Sequence, residues 1–99
     1  MLLGLVGSEM CIRDSIKNKT VYLTFDVDGL DSSIMPATGT PEPGGLLWDE
    51  VLDIIKIAAK NSNIVGADIN ELAPIKGFNS YNFLVAKLAY KILSYKYLY

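Results

Sequence analysis

The sequence predicts an α/β fold in which two parallel strands alternate with two helices. Two short apolar runs, residues 20–25 and 64–69, have the composition of strands that a parallel sheet buries on both faces. Residues 48–60 and the segment after residue 79 instead repeat apolar side chains at helical spacing. The order strand, helix, strand, helix is a βαβ unit plus one helix, and its crossover is expected to be right-handed.

The first half of this pattern contains a strand, a long turn region and a helix. Thr20–Phe25 is rich in β-branched and aromatic residues, whereas Asp28–Gly45 is dense in Gly, Pro, Ser and Thr. Glu50 lies three residues after Leu47, where a capping box has its Glu. Leu47 cannot act as the cap, which is expected to cost the helix about 1 kcal/mol. The apolar face of this helix consists of Trp48, Val51, Leu52, Ile55 and Ala59.

The second half contains the other strand and the last helix. Asn61–Asn63 interrupts the helical pattern, and Ile64–Ile69 then has the composition of a second buried strand. Asn79 or Ser80 is expected to cap the last helix. The predicted buried face of that helix consists of Tyr81, Leu84, Val85, Leu88, Ile92 and Tyr95.

Composition excludes several classes of function. A chain of 99 residues corresponds to one small domain at most, and its net charge of −2 gives no basic field for nucleic acid or an anionic membrane. No apolar run approaches the roughly 20 residues needed to span a bilayer. The chain has no histidine, so Ser-His, Cys-His and zinc-type sites are excluded. The single cysteine, Cys11, cannot form an internal disulfide, and a cytoplasmic protein is expected.

Residues 1–15 fit poorly with the rest of the chain. The apolar stretch Leu2–Val6 is too short for a secretory signal, and the segment has no clear helix or strand period. The segment resembles a translated sequencing-adaptor scar, and a disordered native terminus is the alternative. We therefore expect the native part to be residues 16–99, and under the first interpretation the native protein continues upstream.

Asp26 and Asp28, which follow the first strand directly, are the leading candidate site residues. Parallel α/β sheets bind ligands at the carboxyl ends of their strands, and residues two apart on an extended chain point to the same side. Two adjacent carboxylates repel each other unless a cation lies between them, and oxygen ligands suit magnesium, calcium or manganese. The alternative is structural: Asp28 caps the loop through backbone amides while Asp26 is merely exposed.

Such a pair occurs in more than one protein family. An EF-hand loop is excluded, because Leu30 and Ala37 stand at the fifth and twelfth positions, where that loop needs ligands. Phe25–Gly29 resembles the haloacid-dehalogenase-like phosphotransferases, in which the first Asp is the nucleophile and the second the acid/base. Leu30 replaces their Thr, and their later acidic pair is not evident. A noncatalytic chain that binds a cation or a partner is a further alternative.

A more extensive resemblance is to the ureohydrolase family of arginases and agmatinases. Thr24–Asp31 followed by Pro36–Leu46 resembles the last metal-binding signature of that family. Gly66–Pro74 resembles its final active-site strand and loop, and the two blocks occur in the family's order. Glu42-Pro43 and Ala73-Pro74 are more similar to agmatinases than to arginases.

The resemblance implies a fold and a set of site residues. The chain would be the C-terminal β-α-β-α portion of a three-layer α/β/α parallel-sheet fold. Asp26 would bridge two manganese ions, and Asp28 would bind one of them. Glu71 would pair with the guanidinium of the substrate, with Thr40 nearby; a surface salt bridge and a turn hydroxyl are their alternative roles. The loop glycines that would let the backbone approach the site are Gly39, Gly44 and Gly45.

The resemblance also implies an activity. In that family a binuclear manganese centre activates water for attack on a guanidinium carbon, so that agmatine yields putrescine and urea. The expected partner is therefore a small guanidino substrate, and the complete protein is expected to form a homo-oligomer. The upstream histidine- and aspartate-containing segments that supply the other ligands are absent from this chain, which is expected to be inactive alone.

Two further residues, Ser32 and Asp68, are expected to affect the order of the loops around the site. Ser32 stands where the family usually has a proline after its third Asp, which is expected to give a looser turn. Asp68 is expected to order the loop or support the ligands, ranked below Glu71 as a functional residue.

Overall fold

The two strands pair in parallel, as the sequence predicts. The computed structural model describes residues 6–99, with side chains from residue 11 onward. Its elements are α1 (Val6–Ile16), β1 (Thr20–Asp26), α2 (Trp48–Asn61), β2 (Asn63–Asn70) and α3 (Ser80–Leu98). A short 3-10 helix, Val27–Gly29, follows β1 directly. The predicted α/β class is confirmed, and both predicted helices and both predicted strands are present. The ends of both strands and of α2, and the start of α3, lie within one or two residues of those expected.

The strands begin and end together. Their register runs from Thr20 beside Asn63 to Asp26 beside Asn70. Val65 is the extra residue at a shift in register, and such a bulge bends a strand and increases its local twist. Because the strands are parallel, both carboxyl ends lie at the edge where Asp26 and Asn70 are neighbours.

Only one face of the sheet is covered by the described helices. Along β1, half-buried residues such as Leu23 and Phe25 alternate with exposed ones such as Tyr22, which is 59% exposed. α2 and α3 both pack into one core cluster, so the described residues supply two layers. The sequence pattern of a strand buried on both faces is thus not matched by cover within residues 6–99. The buried residues of the core are Val27, Leu30, Met35, Ala37, Leu46, Val51, Ile55, Ala58, Ala59, Ile64, Leu88, Ile92 and Tyr95.

α2 begins without a side-chain cap, as expected. Leu47 occupies the N-cap position with an extended backbone and offers no acceptor to the helix amides. The other half of a capping box does form, because the Leu47 N–H donates to the Glu50 carboxylate at 3.0 Å. At the opposite end, the Ser62 hydroxyl donates to the Ala58 carbonyl oxygen at 2.6 Å and so satisfies a terminal acceptor.

α3 buries the predicted face, but its predicted cap does not form. Leu88, Ile92 and Tyr95 are buried, and the other predicted face residues are partly buried against the core. Asn79 occupies the N-cap position, yet its side chain makes no capping hydrogen bond. Its backbone is helical (φ −74°, ψ −12°) rather than extended, which turns the side chain away from the first helix amides. No helix within residues 6–99 is long and apolar enough to cross a membrane.

The sequence did not predict α1. Its segment has no regular apolar stripe, but Ile12 is buried and α1 packs against α2, so tertiary contact decides its conformation. Asn18 then turns the chain with a positive φ of 61°, and its N–H donates to the Asn61 carbonyl oxygen at 2.7 Å. The origin of residues 1–15 stays a prediction, and its first five residues lie outside the described part of the chain.

A large apolar surface accompanies this incomplete cover. The outer face of α3 exposes Phe83, Tyr90 and Tyr97 by 69%, 69% and 83% of their areas. Val65, at the bulge, is 61% exposed. Contiguous apolar exposure of this kind marks either an interaction surface or a liability to aggregate.

We expect the purified 99-residue chain to self-associate and to lack a single cooperative thermal transition, because a two-stranded parallel sheet with one open face buries too little apolar area. Far-UV circular dichroism during heating, together with analytical ultracentrifugation, measures both properties. One sharp melt of a monomeric species would contradict the expectation.

Candidate metal and substrate site

Asp26 and Asp28 lie at the carboxyl end of β1, on either side of the buried residue Val27. Asp26 is the last residue of the strand and is exposed. Val27, between the two carboxylates, is fully buried, and Asp28 is half-buried in the 3-10 helix. The extended geometry assumed from the sequence therefore holds only as far as Asp26, because the backbone turns at Val27. The predicted pair does lie at the edge of the sheet where α/β proteins bind ligands.

The loop after this pair is organised by Asp31. One carboxylate oxygen accepts hydrogen bonds from the Gly44 and Gly45 amides at 2.7 and 3.2 Å. The other accepts from the Ser33 amide at 3.0 Å and from the Ser33 hydroxyl. The bonds from Ser33 are the largest cause that holds the pKa of Asp31 below its ordinary value, and the two glycine amides act in the same direction.

Gly45 is required where the two ends of the loop come together. A Cβ atom at Gly45 would lie 2.7 Å from the backbone nitrogen of Asp31 and 2.7 Å from the carbonyl carbon of Leu30, so no other residue fits. Beside it, the Asp31 N–H donates to the Leu46 carbonyl oxygen at 2.8 Å. Gly44 has a φ of +81°, which glycine adopts without strain. The close backbone approach predicted for the loop glycines is therefore, at Gly45, a contact between the two ends of the loop.

The role of Asp31 in closing the loop was not predicted from the sequence. The local signal was its spacing from Ser33, since an Asp that accepts from the amide two residues later forms an Asx-turn. Ser32 also differs from the expectation of a looser turn: its N–H donates to the Glu42 carbonyl oxygen at 3.1 Å. A proline there could not make this bond, so the turn is held by hydrogen bonding in place of a rigid ring.

Thr40 lies beside Asp28, as part of the same loop. Its hydroxyl donates to a carboxylate oxygen of Asp28 at 3.4 Å, which is long for an O–H···O bond and correspondingly weak. Thr40 is exposed, so the hydroxyl also remains accessible from solvent. The structure therefore brings together two of the predicted site residues.

Glu71 is held in a conformation that non-glycine residues rarely adopt. Its φ is +73°, in the left-handed region, and such positions cost roughly 1–3 kcal/mol and occur preferentially at functional sites. Two contacts hold the next residues against the glycine-rich loop: Leu72 bridges Thr38, and the Ala73 N–H donates to the Ala37 carbonyl oxygen at 2.8 Å. Glu71 itself is exposed, so its carboxylate is accessible from solvent.

Asp68 lies on β2, two residues before the edge. Its carboxylate accepts a hydrogen bond from the side-chain amide of Asn70 at 2.7 Å. The negative charge of Asp68 is the largest cause that raises the pKa of Tyr22, its neighbour on the same sheet face. The expectation that Asp68 has an ordering role is consistent with these contacts.

The oxygen donors at this edge fit part of a site for a hard divalent cation. Among the described residues, the Asp26 carboxylate makes no hydrogen bond and Asp28 accepts only the weak one from Thr40, so both retain free oxygen lone pairs. No group of three or more metal-ligating side chains lies together within residues 11–99, whose side chains the structure describes. The carboxylates of Asp26 and Asp28 therefore fit two of the ligand positions around a hard divalent cation such as manganese.

An open cavity of about 330 Å³ lies at the other end of the strands. Asn18 and Asn63 line it, together with Lys60 and Lys96 from the last turns of α2 and α3. Ammonium groups there offset the negative ends of the two helix dipoles, and Lys60 also lies 4.8 Å from the centre of the Tyr99 ring. The lysines thus have a structural role at a distance from the carboxylate edge.

We expect Asp31→Asn to open the loop, because a neutral amide with one acceptor replaces a charged carboxylate with two. Hydrogen exchange measured by mass spectrometry, which tolerates a self-associating sample, should show lower protection of the peptide that contains Gly44 and Gly45 at neutral pH. Because the folded-state pKa of Asp31 is lowered, its stabilisation is full above the ordinary Asp value of about 3.9 and is lost as the pH falls through the lowered pKa. Wild-type protection should then approach that of the variant.

The control is Asp53→Asn, which changes an exposed carboxylate on α2. Its loop amides should exchange as in the wild type at every pH. Full protection of Gly44 and Gly45 in Asp31→Asn at neutral pH would contradict the role given to Asp31.

Comparison with known proteins identifies the family. The family model described as the arginase family matches residues 7–94. The N(1)-aminopropylagmatine ureohydrolase of Synechocystis sp. is 46% identical over 81 residues, which are 82% of this chain and 26% of that protein. The chain thus spans about a quarter of the length of the first curated relatives that it matches.

Solved structures agree with this result. Proclavaminate amidino hydrolase from Streptomyces clavuligerus superposes with a TM-score of 0.81 at 31% identity, covering 91% of this chain and 31% of that one. Formiminoglutamase from Trypanosoma cruzi, solved with Mn²⁺, gives a TM-score of 0.66 at 28% identity, covering 91% and 32%. The parallel strands, the two aspartates at their carboxyl edge and these matches together show that the chain belongs to the arginase family.

Proposed function

We propose that this chain is the part of a manganese-dependent ureohydrolase that contributes two metal-binding carboxylates and one guanidinium-binding carboxylate. The observation that carries the proposal is the contact between the two loops: the bridge from Thr38 to Leu72 holds the strained Glu71 loop against the loop that contains Asp28 and Thr40. Segments far apart in sequence thereby place acidic groups at one edge of the sheet. The comparisons favour this function over a haloacid-dehalogenase-like phosphotransferase.

Asp26 and Asp28 are the residues that would hold manganese. When bound, manganese would lower the pKa of a water molecule and so supply a hydroxide nucleophile near neutral pH. Both side chains are carboxylates with free lone pairs, and hard divalent cations prefer such oxygen ligands. The buried Val27 fixes the backbone between them, so neither carboxylate can move far from the edge.

Thr40 orients one of these ligands. Its hydroxyl donates to Asp28, which leaves the remaining lone pairs of the carboxylate for a cation. At 3.4 Å the bond is long, so it would contribute only weakly to the orientation of Asp28.

Glu71 would bind the substrate. A carboxylate can accept two parallel hydrogen bonds from a planar guanidinium, which fixes both the orientation and the position of the carbon to be attacked. The positive φ of Glu71 sets the direction in which its side chain leaves the backbone, and the flanking contact of Ala73 with Ala37 prevents relaxation of this strain.

The proposed substrate is agmatine or a close guanidino relative. Its hydrolysis would give urea and an amine, which is putrescine when the substrate is agmatine. A Synechocystis protein named as an N(1)-aminopropylagmatine ureohydrolase supports an agmatine-type skeleton. Selectivity beyond the guanidinium depends on groups that contact the far end of the substrate. A homo-oligomeric, cytoplasmic protein stays a prediction from the sequence.

A chimera tests the proposed function directly. Residues 16–99 of this chain would replace the matching segment of the Synechocystis ureohydrolase, which is 46% identical. We expect the chimera to release urea from agmatine or N(1)-aminopropylagmatine with manganese present, and to lose this activity after treatment with a chelator. The unmodified Synechocystis protein is the positive control. A well-folded chimera that releases no urea would refute the proposal.

Asp26→Asn in this chimera should reduce manganese affinity and urea release. An amide in place of the carboxylate removes a charge from the site. The decrease in manganese affinity should therefore exceed the roughly 10- to 100-fold that an outer hydrogen-bond partner contributes. Isothermal titration with manganese gives the affinity, and Asp53→Asn, an exposed carboxylate on α2, should behave as the parent chimera. Unchanged affinity in Asp26→Asn would exclude Asp26 as a ligand.

Glu71→Gln should act on the substrate and leave the metal in place. Loss of a charge-assisted pair with a guanidinium, about 1.5–3 kcal/mol, corresponds to a decrease in kcat/KM of roughly 10- to 100-fold. Steady-state kinetics with agmatine measures this, and manganese titration should give the affinity of the parent chimera. Unchanged kinetics would assign Glu71 to the structural alternative.

The 99-residue chain by itself should release no urea at any manganese concentration, because it has no histidine and only two of the required ligands. A sensitive colorimetric assay for urea is sufficient to check this. Manganese-dependent release by the purified chain would contradict the proposed division of the site.

A further inference from the structure

A line of polar side chains leads along the open face of the sheet to Asp26. Tyr22 and Asp26 both belong to the exposed set of β1, and Asp68 and Asn70 are their neighbours on β2. One edge of the Tyr22 ring lies against Gly66, where a Cβ atom would approach the ring to 2.8 Å. Glycine at this position therefore leaves room for the ring beside Asp68.

Asp68 fixes the side chain of Asn70. The Asn70 Nδ2 donates to an oxygen of Asp68 at 2.7 Å, a short distance that indicates a bond strengthened by the negative charge. A carboxylate is only an acceptor, so the amide must present its nitrogen rather than its oxygen to Asp68. The acceptor-only character of the Asp68 carboxylate therefore determines which end of the Asn70 amide faces it.

Asn70 is also the cross-strand neighbour of Asp26. The two residues are register partners in the parallel pair, and paired strands lie about 4.8 Å apart. The amide nitrogen of Asn70 carries two hydrogens, and the bond to Asp68 uses one. The second hydrogen is therefore available to a carboxylate on the adjacent strand.

We propose that Asn70 is a positioning residue that donates its second amide hydrogen to Asp26 and so orients this carboxylate towards a divalent cation. The inference rests on the proposed function, since it assumes that Asp26 is a metal ligand. Metal-bound carboxylates are generally held by an outer hydrogen-bond partner. Thr40 is the partner of Asp28, whereas the Asp26 carboxylate makes no hydrogen bond among the described residues of this structure. The bond from Asn70 to Asp26 is proposed for the protein with its cation bound.

The same arrangement explains why an asparagine suits this position. Asp68 lies on the same sheet face as Asp26 and carries the same charge, so the two carboxylates repel each other when no cation is present. A neutral donor between them attracts both. An aspartate at position 70 would add a third negative charge and remove the donor, and an apolar residue would leave Asp26 without support.

The test uses the chimera and measures metal binding rather than turnover. Asn70→Ala should weaken manganese affinity about 10- to 100-fold, as loss of an outer partner does. Electron paramagnetic resonance of free Mn²⁺ during titration gives the dissociation constant and, from the bound signal, the symmetry of the site. Asp68→Ala should weaken affinity in the same direction, because Asn70 then loses its anchor.

The matched control is Asn63→Ala, the same change at the opposite end of β2, where the side chain accepts from Lys96 at 3.1 Å. It should leave manganese affinity unchanged. If Asn70→Ala does not fold, Asn70→Ser retains a donor on a shorter side chain and should give an intermediate affinity. Manganese affinity of Asn70→Ala equal to that of the parent chimera, with the far-UV spectrum preserved, would overturn the inference.

The two proposals fail in different ways. If the parent chimera binds no manganese, both the proposed function and the proposed role of Asn70 are refuted. If the parent chimera binds manganese and loses affinity in Asp26→Asn but not in Asn70→Ala, only the role of Asn70 is refuted. Loss of affinity in both variants, with Asn63→Ala unaffected, supports both.

Discussion

The carboxylate of Asp31 is the interaction on which the rest of the site depends. It accepts four hydrogen bonds, from Ser33 on one side and from Gly44 and Gly45 on the other. These bonds close a segment between β1 and α2 that has little regular structure of its own, and loops of that length are uncommon unless they have a function. With the loop closed, Thr40 is held beside Asp28, and Thr38 is available to bridge Leu72.

The second constraint is the parallel register of the strands. Because β1 and β2 end together, Asp26 at the end of one is beside Asn70 at the end of the other, and Glu71 follows immediately. A slip by one residue would move every side chain of a strand to the other face of the sheet. The apolar residues Leu23 and Phe25, which pack against the core, therefore fix the position of the polar residues as well.

Most of the secondary structure could be predicted because it follows from local patterns. Apolar spacing identified both strands and both long helices, whereas α1 has no such stripe and depends on packing against α2. The motif residues Asp26, Asp28, Thr40 and Glu71 could be named from sequence resemblance. The role of Asp31 could not, since its bonds to Gly44 and Gly45 join residues 13 and 14 positions apart, which periodicity does not record.

One face of the sheet is open, although the composition of both strands predicted burial on both faces. Its amino-terminal half exposes Tyr22 beside the bulge at Val65, and its carboxyl-terminal half exposes Asp26 and Asn70. An apolar surface is stabilised when other residues bury it, whereas neighbouring carboxylates are stabilised by a cation and by hydrogen-bond donors. A strand composition typical of two-sided burial is therefore matched on only one face by cover within residues 6–99. The polar end of the same face would be stabilised by the divalent cation proposed above, which would offset the negative charge of Asp26.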